Sequence, residues 1–269
     1  MSHFAVAVLT DGTKTVSELL EPYQEHNAPE SVDKKYLVFV DTEEENRANY
    51  ESGVRTFYHI NAKDGENEAL VPSWNRAFRK PDAPCWRRSS SDYEVPEGTR
   101  AVNVPMTAIY PTFDDYMREY LHEDRDAETG RYGYWENPNA KWDWYEAGGR
   151  FMQFCREVIG GVQVRVGDIK FDPEKERRKA EEEWDEQEGS PLWQIMCGGL
   201  SKEQYIESAG YLSFRACVTP DGEWHEVGEM GWWGMSSETA DELLEWEAHF
   251  AERFLGDPNL TLTVVDCHI

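Results

Sequence analysis

Tyr211-Leu-Ser-Phe-Arg-Ala-Cys-Val-Thr-Pro-Asp-Gly-Glu-Trp-His-Glu226 is the stretch on which the fold reading turns. Residues 211–218 alternate in the manner of a strand, Pro220-Asp-Gly222 offers a tight turn with a glycine free to take positive φ, and Glu223 to Glu226 return. That is a β-hairpin. Downstream, Ser237 is placed to cap a helix reaching Leu255, whose Ala240, Leu243, Leu244, Phe250, Ala251 and Phe254 form one apolar stripe. Gly256 and Pro258 stop it, and Leu260-Thr-Leu-Thr-Val-Val-Asp266 reads as a final strand. At the other end Phe4-Ala-Val-Ala-Val-Leu9 is an apolar, β-prone run closed by Thr10-Asp-Gly12. A ββαβ tail plus that N-terminal strand predicts an α+β fold. Its core is an antiparallel sheet, ferredoxin-like, with both chain ends paired in it and helices behind.

The remaining segments read as additions to one domain spanning 1–269, with insertions at about 61–110 and 170–208. Ser17 to about His26 predicts a short helix limited by Pro22, Lys35 to Asp41 a strand, and Thr42 to Tyr50 a helix with Glu43, Glu44 and Glu45 near its positive end. Pro111 to His122 reads as a helix capped by Thr112, and Val162 to Val166 as a strand; Phe151 to Val158 fits either helix or strand. Asp172 to Glu188 is nearly all charge apart from Trp184, so a solvated helix, spacer arm or partner contact is expected there. Between Asn61 and Thr99 lie four prolines and the only basic cluster, Arg76, Arg79, Lys80, Arg87 and Arg88 among Trp74, Phe78 and Trp86. Such a mixture suits phosphate and base contacts, or internal pairing with carboxylates.

A formal charge of −26 keeps most of the surface hostile to nucleic acid and anionic membrane. It also suits a basic partner, including a protein site that normally holds DNA. Aromatic content of 13% argues for a packed core rather than disorder. Five scattered cysteines without a Cys-x-x-Cys pair read as reduced thiols, and no apolar run is long enough to span a bilayer. A cytosolic chain is expected, with no metal or other cofactor.

Asn137-Pro-Asn-Ala-Lys-Trp-Asp-Trp-Tyr-Glu-Ala-Gly-Gly-Arg150 concentrates aromatics, a lysine and an arginine around a turn and a glycine pair. Lys141, Trp142, Trp144, Tyr145 and Arg150 are therefore candidate ligand-binding residues, with Arg131 as a second guanidinium for a phosphate. Trp232 and Trp233, set between glycines in Gly228-Glu-Met-Gly-Trp-Trp-Gly234, would complete an aromatic cage for a nucleobase. The competing reading is a minicore in which these rings pack on one another.

Three of these stretches carry a resemblance. Lys-Trp-Asp-Trp-Tyr-x-x-Gly-Gly-Arg, Thr219 to Glu226 with the Gly228–Gly234 segment, and Val264-Val-Asp-Cys-His-Ile269 resemble a family of largely uncharacterised tailed-bacteriophage proteins; the opening Ser2-His-Phe-Ala-Val-Ala-Val8 is similar too. Residues 50–110 and the charged run after 172 depart from it. The resemblance implies a phage accessory protein in the host bacterial cytoplasm, of a kind that often disarms host defences, and it implies no reaction.

Familiar catalytic patterns (a phosphate loop, His-Glu-x-x-His, Gly-x-Ser-x-Gly, Gly-x-Gly-x-x-Gly) are missing, so no catalytic residue is assigned. Asp266 and His268 share a strand face while Cys267 points away, and His225 is a candidate to join them in an acid–base or metal site. Three roles follow. The first is an anti-defence protein that sequesters a nucleotide-like host signal without catalysis. The second is an inhibitor coating a host defence protein through its acidic surface, as a homo-oligomer if need be. The third is a hydrolase or nuclease at Asp266, His268 and His225.

Overall fold

The computed structural model describes residues 3–28, 30–60, 69–86, 88–187, 190, 193, 200–228 and 237–269. In chain order the strands are β1 (His3–Thr10), β2 (Val38–Asp41), β3 (Val54–Ile60), β4 (Ala69–Val71), β5 (Ala101–Pro105), β6 (Gly133–Glu136), β7 (Trp144–Ala147), β8 (Gln163–Arg165), β9 (Ala216–Val218), β10 (Trp224–Glu226) and β11 (Thr261–His268). The fold is α+β. Instead of the single domain expected, the chain forms two compact units, one of Met1–Val38 with Glu136–Ile269 and one of Phe39–Trp135.

The first unit is built on a sheet of order β10-β9-β1-β11-β7, with β8 pairing the other end of β11. β1 and β11 run antiparallel over their whole length, from His3 opposite His268 to Thr10 opposite Thr261. β9 lies parallel to β1, with Val6 opposite Ala216 and Val8 opposite Val218. The sheet is therefore mixed, where an all-antiparallel one was expected. The reason is topological. β10 runs antiparallel to β9 and so parallel to β11, and parallel strands need a crossover, which the Ala240–Phe254 helix supplies. Its cap is Thr239 rather than Ser237: the Thr239 hydroxyl accepts the Glu242 N–H and the Glu242 carboxylate accepts the Thr239 N–H.

Side chains alternate across the sheet, so the apolar run of β1 feeds two cores. On one face Ala7, Leu9, Cys217, Leu262 and Val264 pack with Phe250 and Phe254 of the crossover helix and with Cys155, Val158 and Ile159. On the other, Phe4, Val6, Val8, Val218, Val265 and Cys267 meet Leu19, Leu20 and Trp142. Phe151–Val158, ambiguous in sequence, is helical: Met152–Phe154 runs into a wider turn at Cys155–Ile159. The charged Pro173–Gln187 helix is no free arm, because Trp184 packs on Trp193 and on Tyr205 of the Lys202–Ser208 helix.

The second unit holds a β4-β3-β5 sheet and a β2-β6 pair. It has its own core of Met106, Tyr110, Phe113, Tyr116, Met117 and Tyr132. The insertion expected at about 61–110 is thus part of a larger body. Its strands are hard to read locally because β3 pairs β4 on one side and, on the other, the distant β5, where Val54 lies opposite Pro105. No helix among the described residues is long and apolar enough to cross a membrane.

Asn137 ties the loop before β7 to the segment after the Val16–Leu20 helix. Its buried amide donates to the Pro22 carbonyl at 2.8 Å and the Gln24 carbonyl at 2.9 Å, and its oxygen accepts the Asn139 N–H at 3.0 Å. Asn137→Ala strands two carbonyls at once, and we expect it to cost about 2–3 kcal/mol, read as a lowered Tm in thermal denaturation.

Candidate functional site

The β1–β11 register brings His3 opposite His268 and Ala5 opposite Asp266, so all four side chains stand on one sheet face. β7 continues that face: Glu146 pairs Asp266 and Trp144 pairs His268. At this end of the sheet the core gives way to polar groups.

Asp266 is almost fully buried and holds two donors. Its Oδ1 lies 2.9 Å from His3 Nδ1, and its Oδ2 accepts the Arg150 backbone N–H at 2.8 Å. The Gly148-Gly149 pair makes the second bond accessible. The Gly148 N–H is fixed to the Val264 carbonyl at 2.9 Å, and Gly149 adopts φ +39° with its Cα against Asp266. A Cβ on Gly149 would fall 2.5 Å from the Asp266 Cβ. Backbone must come this close for the Arg150 N–H to reach the carboxylate, and only glycine permits it.

A second imidazole–carboxylate pair stands beside the first. His268 Nδ1 lies 2.6 Å from Asp143 Oδ1, which also accepts the Trp144 N–H at 2.7 Å. The Asp143 N–H in turn donates to the His268 carbonyl at 2.9 Å. An ionised carboxylate only accepts, so in both pairs Nδ1 is the donor and Nε2 is left for other chemistry. His268 Nε2 is buried and has no partner among the described residues. The two imidazoles meet edge to face with centroids 5.0 Å apart, and the Trp144 indole stacks on His268 at 5.4 Å and 19°. These groups, with Glu146 and the Arg150 side chain, line an open cavity of about 440 Å³. The Arg150 guanidinium has no ion pair among the described residues, and the Trp144 ring is 43% exposed. Two imidazoles, a guanidinium and an indole face therefore border one hollow.

Trp142, Trp144 and Tyr145 border one open cavity of about 530 Å³, but Arg150 lies on a different one and Trp142 shows little of its ring there. Trp142 is buried in the core of the opposite face, edge-on to Tyr145 at 5.0 Å, with its indole N–H on the Leu20 carbonyl at 3.2 Å. The chain bends at Asp143, so the two tryptophans lose the common face that strand alternation would give them. Tyr145 sits opposite Cys267 on that same far face. Lys141 pairs with Glu226 at 2.6 Å and lines a different cavity, with Tyr23 and Trp224. Arg131 belongs to the second unit and pairs with Asp41 at 2.5 Å. Trp232 and Trp233 fall outside the described residues.

Asp266 and His268 do share a face, and the Cys267 thiol, on the other, is pushed well above the ordinary range by burial and by the Asp266 charge. His225 does not join them. It is level with Cys217 and, through β1, with Val264, so it stands about 14 Å across the sheet from β11 and four residues short of His268. Its ring packs on Phe254 instead. Among the described residues no three His, Cys, Asp or Glu side chains are grouped to hold a metal ion. Sequence reasoning missed His3 and Asp143 as site residues, while the close approach expected of the Gly148-Gly149 pair is found at Gly149. The readable signal for His3 was its parity with Ala5, Ala7 and Leu9, which share its strand face.

No protein-family model matches this chain, and no curated protein or solved structure matches it.

Gly149→Ala forces both a disfavoured φ and a collision with Asp266. We expect a loss on the order of 2–4 kcal/mol in urea denaturation, larger than for alanine at the unobstructed Gly12, where only φ is strained.

Proposed function

We propose that the His3–His268 pocket is an acid–base site for a nucleotide-like phosphoester, and that the protein consumes such a ligand. The observation that carries the reading is the pair of neighbouring imidazoles, each oriented at Nδ1 by its own aspartate, on one open cavity with Arg150. A site built only to hold a ligand has no need of two oriented imidazoles. Trp144 supplies a face on which a base can stack, and Arg150 a planar fork for phosphate oxygens.

The chemistry balances with the residues at hand. A water, or a hydroxyl of the ligand, gives its proton to one imidazole Nε2 as its oxygen attacks phosphorus. The bond from phosphorus to the leaving oxygen breaks, and that oxygen takes a proton from the second imidazole. Asp143 and Asp266 hold the rings in place and offset the positive charge as each is protonated. With water as nucleophile, a diester becomes a monoester and an alcohol. The resemblance to phage accessory proteins supplies a setting, in which the ligand is a host immune signal in the bacterial cytoplasm.

One observation favours the alternative of sequestration without turnover. His268 Nε2 is covered, so a ligand can be gripped by Trp144 and Arg150 without that nitrogen reaching it.

Incubation with cyclic and linear dinucleotides and ADP-ribose derivatives, followed by ion-exchange separation, distinguishes the two. Turnover should fall about 10²–10⁴-fold in His3→Ala and in His268→Ala, with the folded state retained. Trp144→Ala should weaken binding by about 1–3 kcal/mol. Tight binding with intact ligand recovered would favour sequestration; a panel with neither binding nor product would retire both readings.

A further inference from the structure

A second cavity, of about 490 Å³, opens on the same side of the sheet and shares His3 with the first. Its walls include Phe151, Phe154, Phe214 and Trp246. The Trp246 ring is fixed there by its indole N–H, which donates to the Phe214 carbonyl at 2.8 Å.

Two of the residues lining this hollow carry a buried polar atom with no partner among the described residues. Arg215 holds Glu238 through its terminal nitrogens at 2.5 and 3.0 Å, which locks the guanidinium and leaves the buried Nε–H unmatched. Glu247, from the crossover helix, has its Oε2 buried with nothing to bond. Burial also pushes the Glu247 carboxyl up to about 7, so near neutral pH it is able to donate as well as accept. Buried polar groups are rarely left unmatched, and an unmatched pair lining a cavity marks a place where something else supplies the bonds. The chemistry required is a flat ring for the aromatic walls, with an acceptor for the Arg215 Nε–H and a polar edge for Glu247. A nucleobase has both.

We infer that the ligand is two-headed: a dinucleotide whose phosphate lies at His3 and Arg150, with one base on Trp144 and the other in the Phe151–Trp246 cavity beside Arg215 and Glu247. This rests on the phosphoester reading of the His3 site and specifies its substrate class. His3, common to both cavities, stands where the linking phosphate must pass.

The test compares the four deoxynucleoside monophosphates with the matching dinucleotides, phosphorothioate-linked to resist cleavage, by isothermal titration. The wild-type protein should bind the best dinucleotide about tenfold or more tightly than its mononucleotide. Ser213→Phe, which fills the second cavity, and Glu247→Leu, which removes the polar edge, should each erase that gain and leave mononucleotide binding intact. Glu247→Gln, neutral and able to donate and accept, should keep it. Retained mononucleotide affinity shows that each variant is folded. Mononucleotide binding that depends on His3 without any dinucleotide gain overturns this inference alone, as does a gain that survives both Ser213→Phe and Glu247→Leu. Binding of neither probe overturns the phosphoester reading and the two-headed ligand with it.

Discussion

The antiparallel pairing of β1 with β11 is the constraint on which the rest of the first unit depends. It joins the two ends of the described chain, His3 to His268, in continuous register. Because side chains alternate with period two, a slip of one residue would carry Asp266 and His268 into the core face beneath and bring Cys267 up in their place. That slip is opposed by the whole interior. Val6, Val264 and Leu262 are fully buried, and each would exchange its core for the other. The apolar pattern of two strands thus holds a polar arrangement at their ends to within hydrogen-bonding tolerance.

The polar end is itself a closed account. Asp266 and Asp143 are low in exposure, and each is compensated by an imidazole and a backbone N–H. Burying a carboxylate is tolerated when such donors are in place and costly when they are not. Gly149 is the backbone concession that lets one donor arrive. Three of the buried polar atoms left without a partner among the described residues, His268 Nε2, Arg215 Nε and Glu247 Oε2, belong to residues that line the two neighbouring cavities.

Legibility differed by the range of the interactions involved. The hairpin around Pro220-Asp-Gly222, the crossover helix and β11 were readable, because turn chemistry, helical stripe and strand alternation are local signals. The strand β3 was not, since one of its two partners, β5, lies across a long proline-bearing stretch. Trp142 and Trp144 show the same limit within three residues. Both sit in one aromatic motif, yet the bend at Asp143, held by His268 from the far end of the chain, sends one to the core and the other to the pocket. The helix from Pro111 was readable from its capping threonine and aromatic spacing, but that Met106, Tyr110 and Tyr132 join it in one core is a matter of tertiary packing.

The residues alone determined which segments are strands or helices at the two ends of the chain, and that Asp266 and His268 share a face while Cys267 does not. Those follow from period and turn chemistry, which need no knowledge of partners. Tertiary structure decided that His3, Asp143, Gly149 and Arg150 gather around them and that His225 and Trp142 do not. The physical reason is that strand register and chain direction are set by burial summed over the entire sheet, and no short stretch carries that sum.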